Sequence, residues 1–139
     1  MVQCPPDLTA AKAAVAIGIG CRKGCSSKVI TGLVERAIAA ASCAGASACL
    51  VTHEAKKSEA GLAEAAKALG LPLVFLDGVA LRHASLRAAT CSPRVLALFG
   101  LPSIAETAAL AAAGPASVLI VARMSEGGAS CAIAGKREP

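Results

Sequence analysis

The chain of 139 residues has no Trp and no Tyr, and only two Phe. Single-stranded nucleic acids are held largely by stacking bases on aromatic side chains, so this composition argues against that class of partner. No basic run is dense enough to act as a nucleic-acid tail, and no nucleic acid is expected. Long hydrophobic runs are missing as well. No apolar stretch reaches the roughly 18 residues of a membrane span without a charge or a glycine interrupting it. The segment Met1 to Pro6 lacks the basic and apolar regions of a signal peptide. A cytoplasmic protein without a membrane partner is the expectation. A disulfide framework is not evident either. The seven cysteines, at 4, 21, 25, 43, 49, 91 and 131, are odd in number, and most sit in apolar surroundings. Free cysteine behaves there as a small hydrophobe, which fits a reducing compartment.

What is present is a 55% hydrophobic chain, rich in alanine, with a formal charge of +5. That length suits one compact domain, 1–139 with a core from about 13 to 134, large enough for a proper hydrophobic interior. The modest positive charge favours an acidic partner but is common on ordinary surfaces.

Apolar runs and helical patterns alternate along the chain. Ala13 to Ile19, Ala48 to Val51 and Leu73 to Leu76 read as buried strands. After Ser26 or Ser27 as cap, Val29, Ile30, Leu33, Val34, Ala37, Ile38 and Ala41 recur on one helical face, with Gly45 as the stop. A second helix opens at Ser58 or Glu59 and stops at Gly70, and Asp77 caps a short third. Ser92-Pro93 starts a helix that ends at Gly100. Ser103 with Glu106 fits a capping box for another, closed by Gly114-Pro115. Ser117 to Ala122 and Ala129 to Ala134 form a final hairpin, with Arg123 to Gly128 as its loop. The expected fold is α/β: a three-layer sandwich with a mostly parallel sheet, helices on both faces and a C-terminal antiparallel hairpin at an edge.

The first strand runs into Gly18-Ile19-Gly20-Cys21-Arg22-Lys23-Gly24, and a helix follows. Unpaired N–H groups at a helix start, glycines that admit close approach, and two full positive charges together suit carboxylates or phosphates. The spacing departs from the dinucleotide fingerprint, because the third glycine falls four residues after the second. No acidic residue follows at the distance a ribose partner needs. A Walker loop is excluded by Cys25, which stands where Lys is required. Cys21 and Cys25 offer a redox or metal pair only on paper, since further ligands at zinc spacing are missing. Arg22, Lys23 and a helix start would lower the pKa of Cys21, making it a candidate thiolate, but no His or acid is obviously paired with it. His53, Glu54 and Lys56 follow the second strand, where α/β sheets bind ligands. The same residues also suit a solvated loop. Ser103 and Glu106 read as caps, and Arg123 and Glu126 as hairpin surface.

Four stretches, in order, resemble one family. The first is Gly18-Ile19-Gly20-Cys21-Arg22-Lys23-Gly24. The second is Thr52-His53-Glu54-Ala55-Lys56 with Glu59-Ala60-Gly61-Leu62. The third is Ser92-Pro93-Arg94-Val95 with Gly100-Leu101-Pro102-Ser103-Ile104-Ala105-Glu106. The last is Gly127-Gly128-Ala129-Ser130-Cys131-Ala132-Ile133-Ala134. Together they look like the C-terminal domain family of the cobalamin biosynthesis protein CbiG, which includes a stand-alone CobE type. The N-terminal part that accompanies this domain in CbiG is not in this sequence, which speaks against lactone opening by it alone; a protein like the stand-alone type of the aerobic route is the expectation. Cys25 stands where the family more often has Thr or Ser, and Ala122 to Glu126 lacks its basic P-K-x-K stretch.

The resemblance implies a precorrin or hydrogenobyrinic-type tetrapyrrole as ligand, in contact with other enzymes of the pathway, and no cofactor or metal. Gly18, Gly20 and Gly24 would shape the loop around Cys21, with Arg22 and Lys23 on the ligand's carboxylates. Thr52, His53 and Lys56 would line the other side, with Ser103 and Glu106 as further contacts. A binding or carrier role is the first expectation. The alternative is a hydrolase that opens the ring lactone of a precorrin with release of acetaldehyde, using His53 or Glu54 as base. A nucleotide-binding module is the third possibility.

Overall fold

The computed structural model describes residues 15–41 and 48–136. The expected helix stop at Gly45, and Cys4 and Cys43, lie outside the described residues. Strand β1 (Val15–Cys21) is buried along its whole length, which requires cover on both faces. The strands β2 (Ala48–His53), β3 (Leu73–Leu76), β4 (Ser117–Glu126) and β5 (Ala129–Lys136) complete a sheet of order β3-β2-β1-β5-β4. β1 and β3 run parallel to β2, whereas β5 is antiparallel to both β1 and β4.

Successive side chains of a strand point to opposite faces, and here the two faces take different residues. Val15, Ile17, Ile19 and Cys21 of β1 join Cys131 and Ile133 of β5 under helices α1 (Ser27–Ala41) and α2 (Ala60–Leu69). Ile30, Leu33, Val34 and Leu62 supply the helical side of that layer. Each such side chain, fully buried, contributes about 1.5–3 kcal/mol. On the other face Ala16, Cys49 and Val51 meet helix α5 (Ile104–Ala113) with Leu81 of helix α3 (Gly78–Ala84). The approach there is close. A Cβ added to Gly18 would lie 1.8 Å from the carbonyl oxygen of Ala105. Ala105, Ala108 and Ala109 are fully buried for the same reason.

The local signals place the helix ends as expected. Ser26 Oγ accepts from the N–H groups of Lys28 and Val29, and Asp77 caps α3. Ser92 caps helix α4 (Pro93–Phe99), Ser103 caps α5, and Gly70 and Gly100 close α2 and α4 in the left-handed conformation.

The α/β class, the helices on both faces and the C-terminal hairpin agree with expectation. The sheet is mixed, as parallel strands joined by an antiparallel hairpin must be; the hairpin enters through β5, so that of its two strands only β4 lies at an edge. β5 carries Cys131 and Ile133 to one face and Ala132 and Ala134 to the other, all buried, which suits an interior strand. The hairpin loop is also shorter than expected. β4 continues to Glu126, leaving only Gly127 and Gly128, with φ of 58° and 89°. Positive φ at both turn positions is what a two-residue hairpin of matching twist demands. Among the described residues no single helix is long and apolar enough to cross a membrane.

Candidate functional site

The carboxyl ends of β1 and β4, the β4–β5 turn and the first residues of α4 and α5 surround an open cavity of about 550 Å³. That size lies within the roughly 300–1,000 Å³ of small-molecule sites. Five cationic side chains line it: Arg22 and Lys23 from the loop after β1, Lys56 from a 3₁₀ turn after β2, Arg94 from α4 and Arg123 from β4. The acid in the lining, Glu126, is ion-paired with Arg36 of α1. Val95, Leu98 and Phe99 make an apolar wall along α4, and Leu98 is 64% exposed. Gly20, Ser103, Ile104 and Ser130 line it at the junction of sheet and α5. Ser103 caps α5, so the positive end of that helix dipole meets the cavity as well.

The loop after β1 is held by the hairpin turn. Arg22 N–H donates to the Gly128 carbonyl at 2.8 Å, and Cys25 N–H donates back to the Arg22 carbonyl at 3.1 Å. Gly24 provides the φ of 77° that this turn needs. Its N–H is already taken by the Glu59 carboxylate at 2.8 Å. With Ser26 capping α1 as well, the protein supplies its own acceptors at the loop and helix start. What the loop presents to the cavity is the side chains of Arg22 and Lys23. Lys56 is steadied by Phe99, its Nζ 5.5 Å from the ring centroid, a cation–π contact that aims the ammonium near the apolar wall.

Of the residues singled out from the sequence, Gly20, Cys21, Arg22, Lys23, Lys56 and Ser103 come together at the cavity. Five do not line it. Gly18 serves the close contact with α5. Gly24 serves its turn. Thr52 is fully buried and donates to the Ile19 carbonyl at 2.7 Å, tying β2 to β1. His53 accepts the Ala55 N–H on Nδ1 and packs its ring 5.1 Å from that of Phe99. Glu106 is fully buried, and its carboxylate does not reach back as a capping box would.

The candidate thiolate is corrected too. Burial pushes the Cys21 thiol up to about 11, and the nearby Lys56 charge only partly offsets this. The thiol is neutral at physiological pH. Cys25 is also raised, chiefly by burial, and its Sγ lies 3.6 Å from the Gly127 carbonyl. None of the five cysteines among the described residues is in a disulfide.

Sequence reasoning missed Arg94, Arg123 and the apolar wall. α4 did carry a signal. A basic residue in a helix's first turn, here Arg94, opposes the dipole and so calls for another reason to stand there. Arg123 had none, because its position depends on how β4 pairs.

The geometry defines a class: an α/β domain with a cation-rimmed, apolar-walled cavity at the carboxyl edge of its sheet. The chain belongs to the family described as Cobalamin synthesis G C-terminus, which it matches over residues 15–134. It is thus a cobalamin biosynthesis protein of the CobE/CbiG C-terminal type. It is 34% identical to Protein CobE of Sinorhizobium sp over 128 residues, covering 91% of this chain and 83% of that protein. The crystal structure of CobE, a protein from the cobalamin (vitamin B12) biosynthetic pathway, superimposes with a TM-score of 0.77 at 33% identity, covering 87% of this chain and 89% of the other. Cobalamin biosynthesis protein chiG from Agrobacterium tumefaciens str. C58 gives a TM-score of 0.66 at 32% identity, covering 89% of this chain and 99% of the other.

Proposed function

We propose that this protein binds a tetrapyrrole intermediate of corrin synthesis while its acetate and propionate side chains are still free acids, and carries it to or from another pathway enzyme. One observation supports this most directly: five cations from four separate elements surround an apolar helix face. A tetrapyrrole polyacid has the complementary form, an apolar ring face with carboxylates at its rim. Arginine pairs with carboxylates through two parallel hydrogen bonds, so Arg22, Arg94 and Arg123 fix orientation while Lys23 and Lys56 add charge. Phe99, Val95 and Leu98 take the ring face. A carrier role is favoured over turnover by the neutral Cys21 thiol and by His53, whose Nδ1 is engaged by a backbone N–H. The cytoplasm is the compartment proposed for this work, supported by the lack of disulfides among the described cysteines.

The test is an absorbance and fluorescence titration with hydrogenobyrinic acid. Without Trp or Tyr the protein adds little of its own signal. Saturable binding that weakens with salt, and no spectral conversion over hours, is expected. No saturation at any accessible concentration would refute the assignment, and a new absorption band would replace the carrier with a catalyst.

A further inference from the structure

Glu106 is the one charged residue among the described residues that is fully buried. A buried carboxylate is unfavourable by several kcal/mol unless hydrogen bonds replace its water. Here four donors do so. Oε1 accepts from Ala89 N–H at 3.0 Å, Thr90 N–H at 2.8 Å and Thr90 Oγ1 at 3.0 Å. Oε2 accepts from Arg123 N–H at 2.9 Å. One carboxylate therefore ties together three segments: α5, the chain entering α4, and β4.

Both tethered segments deliver an arginine to the cavity. Thr90 lies two residues before Ser92, whose N–H donates to the Pro102 carbonyl at 2.7 Å and whose hydroxyl caps the helix that carries Arg94. Arg123 lies where the β4–β5 ladder slips. Val121 pairs with Ile133 and Met124 with Cys131, so two residues of β4, Ala122 and Arg123, stand opposite one residue of β5. Such a bulge takes a residue out of the ladder and re-aims its side chain. Glu106 accepts the N–H of that arginine.

We propose that Glu106 is a positioning residue for ligand binding: by holding the bulge of β4 and the approach to α4 with its two oxygens, it sets Arg123 and Arg94 against the same cavity. It touches no ligand itself. The inference rests on the polyacid-binding reading above, and its test separates the two. Glu106→Gln keeps the size but turns an NH₂ group towards one set of donors. In the ligand-free protein, NMR hydrogen exchange should show lost protection at Arg123, or at Ala89 and Thr90, while Ile17 and Ile133 stay protected. With hydrogenobyrinic acid, E106Q should bind roughly tenfold more weakly at a temperature where it is fully folded. In the R94A/R123A background the same change should have no further effect, because the arginines it positions are gone. Thr90→Val, which removes one donor, gives a milder version should E106Q fail to fold.

Full protection of the Arg123, Ala89 and Thr90 amides in E106Q would overturn the positioning role whatever the ligand does. Additive losses in the R94A/R123A background would reduce Glu106 to a stabilising residue, and so overturn the proposal. Absence of binding by the wild type would instead overturn the polyacid reading, and the exchange data alone would decide what Glu106 holds in place.

Discussion

The two faces of the sheet are built on different plans. Under α1 and α2 the contacts are between large side chains, Ile17, Ile19, Leu33, Leu50 and Leu62, which fill volume and stabilise through the area they remove from water. Under α5 the closest contacts are between glycine, alanine and backbone, with Val51, Leu81 and Ile104 buried in the same layer. The first plan tolerates adjustment, since a helix resting on long side chains can shift slightly. The second does not, and it is α5 that brings Ser103 and Ile104 to the site and carries the buried Glu106 behind it. Stability is concentrated on one face and positional accuracy on the other.

The sharpest way to break that comparison is Gly18→Ala. The added Cβ meets the Ala105 carbonyl at 1.8 Å, so α5 must move, at a loss on the order of 3 kcal/mol or more in urea denaturation. A variant as stable as the wild type would mean that α5 is free to move. Next in size, replacing both Arg22 and Lys23 by Ala should weaken hydrogenobyrinic acid binding by more than about tenfold with little change in the denaturation midpoint, because both are exposed. An unchanged dissociation constant would remove the loop from the site.

On the large-residue face, Ile17→Val should lower stability by only about 1 kcal/mol and leave ligand binding unchanged. Weakened binding would show that this face also sets the site. The smallest effect concerns Cys21, where the large-residue face meets the cavity. Its ordinary value of 9.0 applies in the unfolded chain and about 11 in the folded one. Between those values the folded state binds more protons, so this contribution to stability is constant below about pH 9 and declines as pH rises towards 11. Cys21→Ala should flatten that part of the pH profile. Iodoacetamide at pH 8 should modify the exposed Cys91 and spare Cys21, as peptide mass mapping would reveal. Fast alkylation of Cys21 would mean that the face is open to water at that end.

Local chemistry determined a good deal without help from the fold. Apolar runs gave β1, β2 and β3, and Asp77, Ser92-Pro93 and Ser103 gave helix starts, because capping is settled within four residues of sequence. The loop cations Arg22 and Lys23 and the family motifs around them were equally plain. The tertiary structure decided the rest. Whether β5 would lie inside or at the edge depended on which edge of β1 remained open to pairing. Whether Glu106 would close a capping box or reach towards Thr90 and Arg123 depended on donors 16 to 17 residues away in sequence. Arg94 and Arg123 look like ordinary surface charges, and only packing brings them to the cavity that Arg22 and Lys23 share. A sequence states which groups are available at short range. Their long-range meeting is set by strand order and by the distance of approach between layers, which no local pattern encodes.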